Sequence, residues 1–288
     1  MSNPLISIII PSYNSAKYIF KTIKSALSQT YSNIELVIVD DGSTDNSFAI
    51  AKSFADERVF TYSQTNQGST AARNKGILES TGKYVLFLDA DDLIHPKTIE
   101  YCVNKIGRND AIFFNAFAID KNDDILFARS FKPIFKNFYA INWMENAPWC
   151  GCVMLKKNKI INKWNRNFDQ IDEFDFYVNF ALYSNNIIYL NKFLFYYRQH
   201  DSQTRKSSMI ENYDRSFKSA FESYLQDERY LNLQRTNKMY CYYRNYLINN
   251  SNLNLKRIEI NFFLNIYLSF IFNSKKFTRR IINRLGFQ

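Results

Sequence analysis

The sequence predicts an α/β fold in which helices cover both faces of a mostly parallel β-sheet. Short, continuous runs of β-branched and other apolar residues alternate with helical segments over roughly the first hundred residues. Such runs are typical of strands that are buried on both faces. The chain has 288 residues, of which 46% are hydrophobic. That is enough for one large domain and an appended region.

The predicted elements follow one another in strict alternation up to residue 95. The first helical segment places Ile19, Ile23 and Leu27 on one face. Proline is favoured in the first turn of a helix, so Pro96 is expected to begin the fourth. The predicted strands are 5–10, 34–39, 58–63 and 83–89, and the predicted helices between them are 16–29, 46–55 and 69–80. Beyond residue 110 the alternation fades, and 111–119 and 125–131 are expected to form a hairpin.

The net charge of +10 lies almost entirely near the carboxyl terminus. Residues 203–288 contain 15 Lys or Arg against 6 Asp or Glu, whereas the preceding residues are close to neutral. This basic, aromatic-rich region has a helical pattern. Two interpretations stay open: a helical cap on the sheet, or an interfacial membrane helix flanked by the basic residues 275–280. No nucleic-acid reader motif accompanies the charge, so nucleic acid is not an expected partner.

Two further features concern the cellular compartment. The chain runs directly into its first predicted strand, so no signal peptide is expected, and no apolar run reaches the roughly 20 residues of a membrane span. Cys150 and Cys152 lack the spacing of a zinc site, which favours packed thiols. The expected location is therefore the cytoplasm, with peripheral contact to the inner face of the membrane if the basic region binds lipid.

Three polar loops follow predicted strands, at residues 11–14, 40–45 and 89–92. In open α/β sheets ligands bind at the carboxyl ends of strands, so these loops are expected along one rim. Helix capping would also explain the first two. The third has three carboxylates, more than a cap needs. Grouped carboxylates suit Mn²⁺ or Mg²⁺, which takes its remaining oxygens from phosphates. The loop thus predicts a metal that carries a diphosphate.

Four motifs in this order carry a resemblance to a known family: "SIIIPSYN", "LVIVDDGSTDNS", "NQGSTAARNKGI" and "GKYVLFLDADD". They resemble the inverting, bacterial family-2 nucleotide-sugar glycosyltransferases, densely over 5–95 and more thinly to about 204. The resemblance implies a GT-A catalytic domain over 1–204, followed by the region 205–288. It implies transfer from a nucleotide-diphosphate sugar, UDP-linked by preference, to a glycan or lipid-linked saccharide in cell-surface polysaccharide or lipo-oligosaccharide synthesis.

The resemblance also assigns residues. Pro11 and Tyr13 match the segment that flanks the uracil ring, and Asp41 matches the residue that binds the base edge. Asp91 matches the direct metal ligand, with Asp92 as a second candidate. The nucleotide-binding positions so implied are Pro11, Tyr13, Asn14, Asp41, Arg73, Asp89 and Ala90, and the metal-binding positions are Asp91, Asp89 and His200. His200 stands with Arg198 in "FYYRQHDSQT", where contact with the diphosphate or metal and a structural role are both open.

Inverting transfer needs one base for the acceptor hydroxyl. The family usually supplies it from a Glu-Asp pair that opens a helix, but here "FDQIDEFDFYVNFAL" has Asp172-Glu173. The register favours Glu173, and a shift of one residue would make it Asp172. Acids at a helix N-terminus are also stabilised by the helix dipole alone. Trp149 falls on the acceptor side, either stacked on a sugar or packed in the core.

Two other function classes make different demands on the sequence. A sugar nucleotidyltransferase should have a glycine-rich segment after the first strand, whereas "PSYNSAKY" contains no glycine. A non-catalytic sugar-binding relative should have lost the Asp-x-Asp motif or the base. The motif is intact, so only the change at Asp172-Glu173 leaves room for that alternative.

Overall fold

The described residues form a nine-stranded mixed sheet with helices packed on it. The structure is a computed structural model that describes residues 3–133, 148–161, 163–165, 172–184 and 186–200. The strand order is β3-β2-β1-β4-β8-β6-β9-β5, and β7 pairs with β6 beside this path. The basic region predicted over 205–288, and the last four residues of the motif at 195–204, lie outside the described residues.

The first half of the sheet is parallel and confirms the four predicted strands. They are β1 (Ile6–Ser12), β2 (Ile34–Asp40), β3 (Val59–Ser63) and β4 (Tyr84–Phe87). Every residue of β1, β2 and β4 is buried. That burial follows from their continuous apolar sequences, which need cover on both faces.

The predicted helices of this half are also present. They are α1 (Ile19–Leu27), α2 (Ser47–Lys52), α3 (Ser69–Glu79) and α4 (Thr98–Ile106), the last beginning two residues after Pro96. Helix α3 packs very close to β1 at Gly76. A Cβ atom added to this glycine would overlap Cγ2 of Ile9. This close approach holds Arg73 of α3 near the end of the sheet.

The second half of the sheet is mixed in direction. It contains β5 (Leu93–Ile94), β6 (Ala111–Ile119), β7 (Ile125–Arg129), β8 (Val153–Lys156) and β9 (Ile187–Arg198). The hairpin of β6 and β7 confirms the expectation. Strand β8 is antiparallel to both β4 and β6, while β9 is parallel to β6. Residues 153–156 and 187–198 were not predicted as strands.

An aromatic cluster joins the last described helix, α5 (Asp172–Tyr183), to the parallel strands. Trp164 stacks on Phe176 of α5 with 4.3 Å between ring centroids. Phe87 of β4 meets both rings edge-on, at 5.2 and 5.6 Å. The acidic start of α5 is therefore anchored to the strand that leads into Asp89. In the described part of the chain, no helix is both long and apolar enough to span a membrane.

Candidate active site

The loops after β1 and β2 bind each other. The Oδ1 atom of Asn14 accepts a hydrogen bond from the backbone N–H of Thr44 at 2.8 Å. The Asn14 N–H donates in turn to Oγ of Ser43 at 3.0 Å. Asn14 has a φ of 47°, a conformation that asparagine tolerates better than most residues. The residues at the N-cap positions of α1 and α2 make no side-chain capping bond. Asp45 accepts a hydrogen bond from the N–H of Ser47, the first residue of α2, at 2.9 Å. The loops are thus built both by contacts between them and by contacts within the second loop.

Asp41 anchors the segment that leads into α3. Its Oδ1 accepts hydrogen bonds from Nε2 of Gln64 at 2.7 Å and from the backbone N–H of Gln67 at 2.9 Å. Its Oδ2 accepts one from the N–H of Gly68 at 2.7 Å. Both carboxylate oxygens thus have partners within the protein, and the side chain is buried. Contact between Asp41 and a nucleotide base stays a prediction.

The other predicted nucleotide contacts differ in exposure. Pro11 is buried within β1, opposite Val39 of β2. Tyr13 is 50% exposed and follows directly after the end of that strand, at the rim of the sheet. Ala90 is buried, and its carbonyl accepts a hydrogen bond from Thr22 of α1 at 2.9 Å.

Arg73 joins the end of β4 to the start of α5. Its Nη2 donates to Oδ1 of Asp89 at 2.8 Å, and its Nη1 donates to Oδ2 of Asp172 at 3.0 Å. The guanidinium also lies 4.5 Å from the ring centroid of Trp164. Burial would lower the pKa of Arg73, but the neighbouring negative charges, Asp89 first among them, raise it well above its usual value. Arg73 is therefore a buried bridge between two carboxylates.

The side chains of Asp91 and His200, which the resemblance names separately as metal-binding positions, lie in contact. The Oδ2 of Asp91 lies 2.9 Å from Nε2 of His200. The ring of Tyr18 packs beside the imidazole, with centroids 4.7 Å apart. Burial and then the negative charge of Asp89 raise the pKa of Asp91. Two carboxylates and an imidazole therefore converge at the end of β4.

Asp92 has a different environment from its two acidic neighbours. Its side chain is only 2% exposed, and its Oδ1 accepts a hydrogen bond from the backbone N–H of Arg198 at 2.8 Å. Burial, followed by the charges of Asp91 and Asp89, raises its pKa well above the ordinary value. This geometry favours a structural role in fixing β9 over direct metal binding.

In the described part of the chain, protein side chains alone do not form a metal site. No group of three or more His, Cys, Asp or Glu side chains there is arranged so that it could hold a metal ion. Mg²⁺ bound to nucleotides typically uses only one or two protein carboxylates and takes phosphate oxygens for the rest. Asp89, Asp91 and His200 provide such a partial set, with side chains 28%, 25% and 9% exposed. Burial, ahead of the negative charge of Asp89, raises the pKa of Asp91, and a cation bound beside it would stabilise the charged form of its carboxylate.

The acids that open α5 have three distinct environments. Asp172 is 4% exposed and bound to Arg73. Glu173, the next residue, is half-buried. Asp175 is buried, and its Oδ1 accepts a hydrogen bond from Asn179 at 3.0 Å. Of the three, Glu173 is the most exposed to a substrate.

Trp149 belongs to a mixed aromatic and cationic cluster. Its ring centroid lies 4.5 Å from that of Tyr197 and 5.7 Å from that of Phe131. The guanidinium of Arg129 lies 4.9 Å from the same ring. The side chain is half-buried, so it combines packing with an accessible part of its surface.

Several contributors to the site carry no sequence signal of their own. Tyr18 supports His200 from α1, and Trp164 supports Arg73 from the connection before α5. Asp123 lies in the turn between β6 and β7, and its Oδ1 is 2.5 Å from Nη1 of Arg198. An isolated aromatic residue or turn aspartate belongs to no motif, so only the tertiary structure identifies these three.

Comparison with known proteins identifies the family of this chain. Residues 7–188 match the model of Glycosyl transferase family 2. An uncharacterized glycosyltransferase of Rickettsia typhi is 31% identical over 224 residues, covering 74% of this chain and 70% of the relative. The glycosyltransferase GlyG of Streptococcus pneumoniae is 30% identical over 247 residues, covering 77% and 80%.

A solved structure shows the same fold. The crystal structure of residues 1–349 of Staphylococcus aureus TarS, in complex with UDP-GlcNAc, superposes with a TM-score of 0.64 at 21% identity. The superposition covers 77% of this chain and 66% of TarS 1–349. The predicted GT-A fold is thus confirmed, and the chain belongs to glycosyl transferase family 2.

Proposed function

We propose that this protein is a metal-dependent, inverting glycosyltransferase. It moves a sugar, a hexose by preference, from a UDP-linked donor to a hydroxyl of a glycan or lipid-linked saccharide. One observation carries the proposal: Arg73 contacts both Asp89 and Asp172. A single guanidinium therefore bridges the acidic start of α5 and the carboxylates after β4. Acids for a metal and an acid for proton transfer therefore adjoin one another.

The donor side is argued from the end of β4. A divalent cation held by Asp91, Asp89 and His200 would neutralise the departing diphosphate. Tyr13, half exposed at the rim, would stack on the base. The complex of TarS with UDP-GlcNAc supports a UDP-sugar as the donor, although that ligand belongs to TarS.

The acceptor side is argued from the start of α5. A single carboxylate suffices as the base, because inverting transfer forms no glycosyl-enzyme intermediate. Asp172 is buried in an ion pair with Arg73, so its carboxylate is already engaged within the protein. Glu173 is less buried and is the carboxylate that takes the proton of the acceptor hydroxyl. Trp149 would then offer its exposed part to the acceptor sugar.

Two isosteric variants test the assignment of the base. In Glu173→Gln, sugar transfer should fall by about 10²- to 10⁴-fold, the usual contribution of a general base. Binding of UDP in the presence of Mn²⁺, measured by calorimetry, should be unchanged. Asp172→Asn is the matched control. It removes the charge of one of the two carboxylates that Arg73 binds, so it should lower the unfolding midpoint more than Glu173→Gln does. If Asp172→Asn loses transfer with full stability while Glu173→Gln stays active, Glu173 is not the base.

The basic region supports a location for the acceptor. Residues 203–288 hold 15 of the 37 Lys and Arg residues in about 30% of the chain. Each Lys or Arg near an anionic lipid surface contributes about 1 kcal/mol, so a few suffice for reversible attachment. We infer that the enzyme works at the cytoplasmic face of the membrane, on an acceptor that belongs to the cell envelope.

Co-sedimentation of the full chain with liposomes tests this location. The protein should pellet with anionic vesicles at low salt and be released at high salt, because exposed charges are screened over about 10 Å at 0.1 M. Neutral vesicles serve as the control. Equal, negligible binding to both would instead support a helical cap, in which case removing 255–288 should unfold the protein.

A further inference from the structure

Arg198, the last residue of β9, is a buried cation that the proposed chemistry does not use. Its side chain is 0% exposed. Removing a charge from water is costly unless it is paired and hydrogen-bonded. Its Nε donates to the carbonyl of Asp91 at 2.7 Å, and its Nη1 donates to the carbonyl of Asp120 at 2.9 Å. The carboxylate that balances its charge is that of Asp123, 2.5 Å away.

Asp123 is shaped for this contact by its turn. It has a φ of 79°, and its backbone N–H donates to the carbonyl of Asp120 at 3.2 Å. Its Oδ1 faces Arg198, while its Oδ2 accepts a hydrogen bond from Nζ of Lys21 on α1 at 2.5 Å. One carboxylate of the β6–β7 turn thus bridges α1 and the end of β9.

Arg198 in turn contacts two of the acids that follow β4. Its guanidinium holds the main chain at Asp91, and its own N–H holds the side chain of Asp92. His200 follows two residues later and meets Asp91. The ring of Tyr18 lies 4.9 Å from the Arg198 guanidinium and 4.7 Å from the imidazole, so both groups share one support.

We propose that Asp123 is a positioning residue, which through Arg198 fixes His200 and Asp91 in the relative geometry that a divalent cation needs. The inference rests on the proposed function as far as the cation is concerned. Without the carboxylate, the Arg198 guanidinium loses its anionic partner, and the support common to Asp91 and His200 is weakened. Asp123 touches neither donor nor acceptor and acts only through Arg198.

A metal-independent measurement tests the positioning directly. The chain has only two histidines, so a His95→Gln parent leaves the imidazole of His200 as the single histidine signal in an NMR spectrum. In that parent, Asp123→Asn should shift or broaden the His200 signal. Asn tolerates the positive φ and has the same shape, so the turn is preserved while the charge is lost. Asp124→Asn is the matched control, because Asp124 is exposed and the turn uses its backbone.

A binding measurement tests the consequence for the cation. In Asp123→Asn, the Mn²⁺ concentration that half-maximally promotes UDP binding should rise at least about tenfold, a change of roughly 1.4 kcal/mol. UDP binding in EDTA should be unchanged. Asp123→Glu restores the charge on a longer side chain and should recover part of the loss. It also keeps the test open if Asp123→Asn does not fold.

The two measurements separate failure of the inference from failure of the proposed function. A His200 signal that is the same in Asp123→Asn and in its parent would overturn the positioning role, whatever the metal does. Wild-type protein that binds UDP equally with Mn²⁺ and with EDTA would overturn the metal-dependent function, and a shifted His200 signal would still support the positioning role. Mn²⁺ dependence that is unchanged in Asp123→Asn would overturn the inference alone.

Discussion

Two parts of the site differ in how far apart their contacting residues lie in the sequence. They are the loops that follow β1 and β2, and the acids that follow β4. Asn14 meets Ser43 and Thr44, which lie 29 and 30 residues away, and these partners belong to consecutive βα units. After β4, Arg73 binds Asp89 from only 16 residues away, but the other partners are much further apart in the chain. Arg73 and Asp172 are separated by 99 residues, and Asp91 and His200 by 109.

We propose that this difference separates two tasks of the site. The first loops are held by hydrogen bonds between neighbouring segments, including bonds to the carboxylates of Asp41 and Asp45. The groups proposed to bind the metal and to act as the base come together only when the second half of the sheet has formed, and their contacts include buried ion pairs. Loss of a long-range ionic contact should therefore cost more stability than loss of a loop hydrogen bond, and three variants test that ranking.

The largest effect is expected for Arg73→Met. The substitution leaves Asp89 and Asp172 without their common cation, and breaking a buried ion pair on one side typically costs about 3–5 kcal/mol. Urea denaturation should show the lower midpoint with an unchanged slope. Arg58→Met is the control, since its partner Asp56 is two residues away and both side chains are partly exposed. It should lose less than about 1 kcal/mol. Equal losses would contradict the ranking.

An intermediate effect is expected for Glu35→Gln in the parallel half of the sheet. Glu35 of β2 accepts hydrogen bonds from Ser7 at 2.6 Å, from the Thr81 N–H at 2.5 Å and from the Gly82 N–H at 3.0 Å. Gln cannot accept all of them with its one oxygen. Leaving buried donors unsatisfied costs about 1–3 kcal/mol. The unfolding free energy at pH 7 should fall by that amount.

The same variant should change the pH dependence of stability. Burial would raise the pKa of Glu35, but the hydrogen bonds from Ser7, Thr81 and Gly82 outweigh it and lower the pKa. A lowered folded pKa means that the carboxylate stabilises the fold above its unfolded pKa of about 4.3, and that this stability is lost as pH falls through the folded pKa. Glu35→Gln should show a shallower loss below pH 4.5 than wild type. Glu57→Gln, at an exposed site, should retain the wild-type slope.

The smallest effect is expected for Asn14→Gly. Glycine adopts the φ of 47° without strain, so only the hydrogen bonds to Thr44 are lost, at about 0.5–1.5 kcal/mol. Asn14→Ala loses the same bonds and adds the cost of a positive φ, about 1 kcal/mol or more. The midpoints of thermal unfolding should therefore rank wild type above Asn14→Gly and Asn14→Ala lowest. If Asn14→Gly lowered the free energy of unfolding as much as Arg73→Met does, the distinction between loop hydrogen bonds and long-range ionic contacts would be contradicted.

The same difference in range explains what the sequence could predict. The boundaries of β1 and β2 lie within two residues of the predicted strands, because continuous apolar runs and their polar ends are local signals. Strand β8 is set by pairing with β4 and β6, which no local pattern reveals. Asp91 and His200 were singled out by family resemblance alone, and the contact between them was not predicted.

The choice between Asp172 and Glu173 as the base also depends on tertiary contacts. Both Asp172 and Glu173 are acids at a helix start, so their sequence environment is nearly the same. Arg73 distinguishes them by binding Asp172, and Arg73 lies on a helix almost a hundred residues earlier. Likewise, Asp123 is one of several polar residues in a turn, and only its contact with Arg198 sets it apart.

The most direct test is calorimetric titration of UDP into wild type and Asp91→Asn, each with Mn²⁺ and with EDTA. If the acids after β4 hold the cation that carries the diphosphate, Mn²⁺ should tighten UDP binding to wild type at least about tenfold, roughly 1.4 kcal/mol. EDTA should abolish that gain, and Asp91→Asn should bind UDP as weakly with Mn²⁺ as without it. UDP affinity that is the same in all four titrations would contradict a metal site at Asp91.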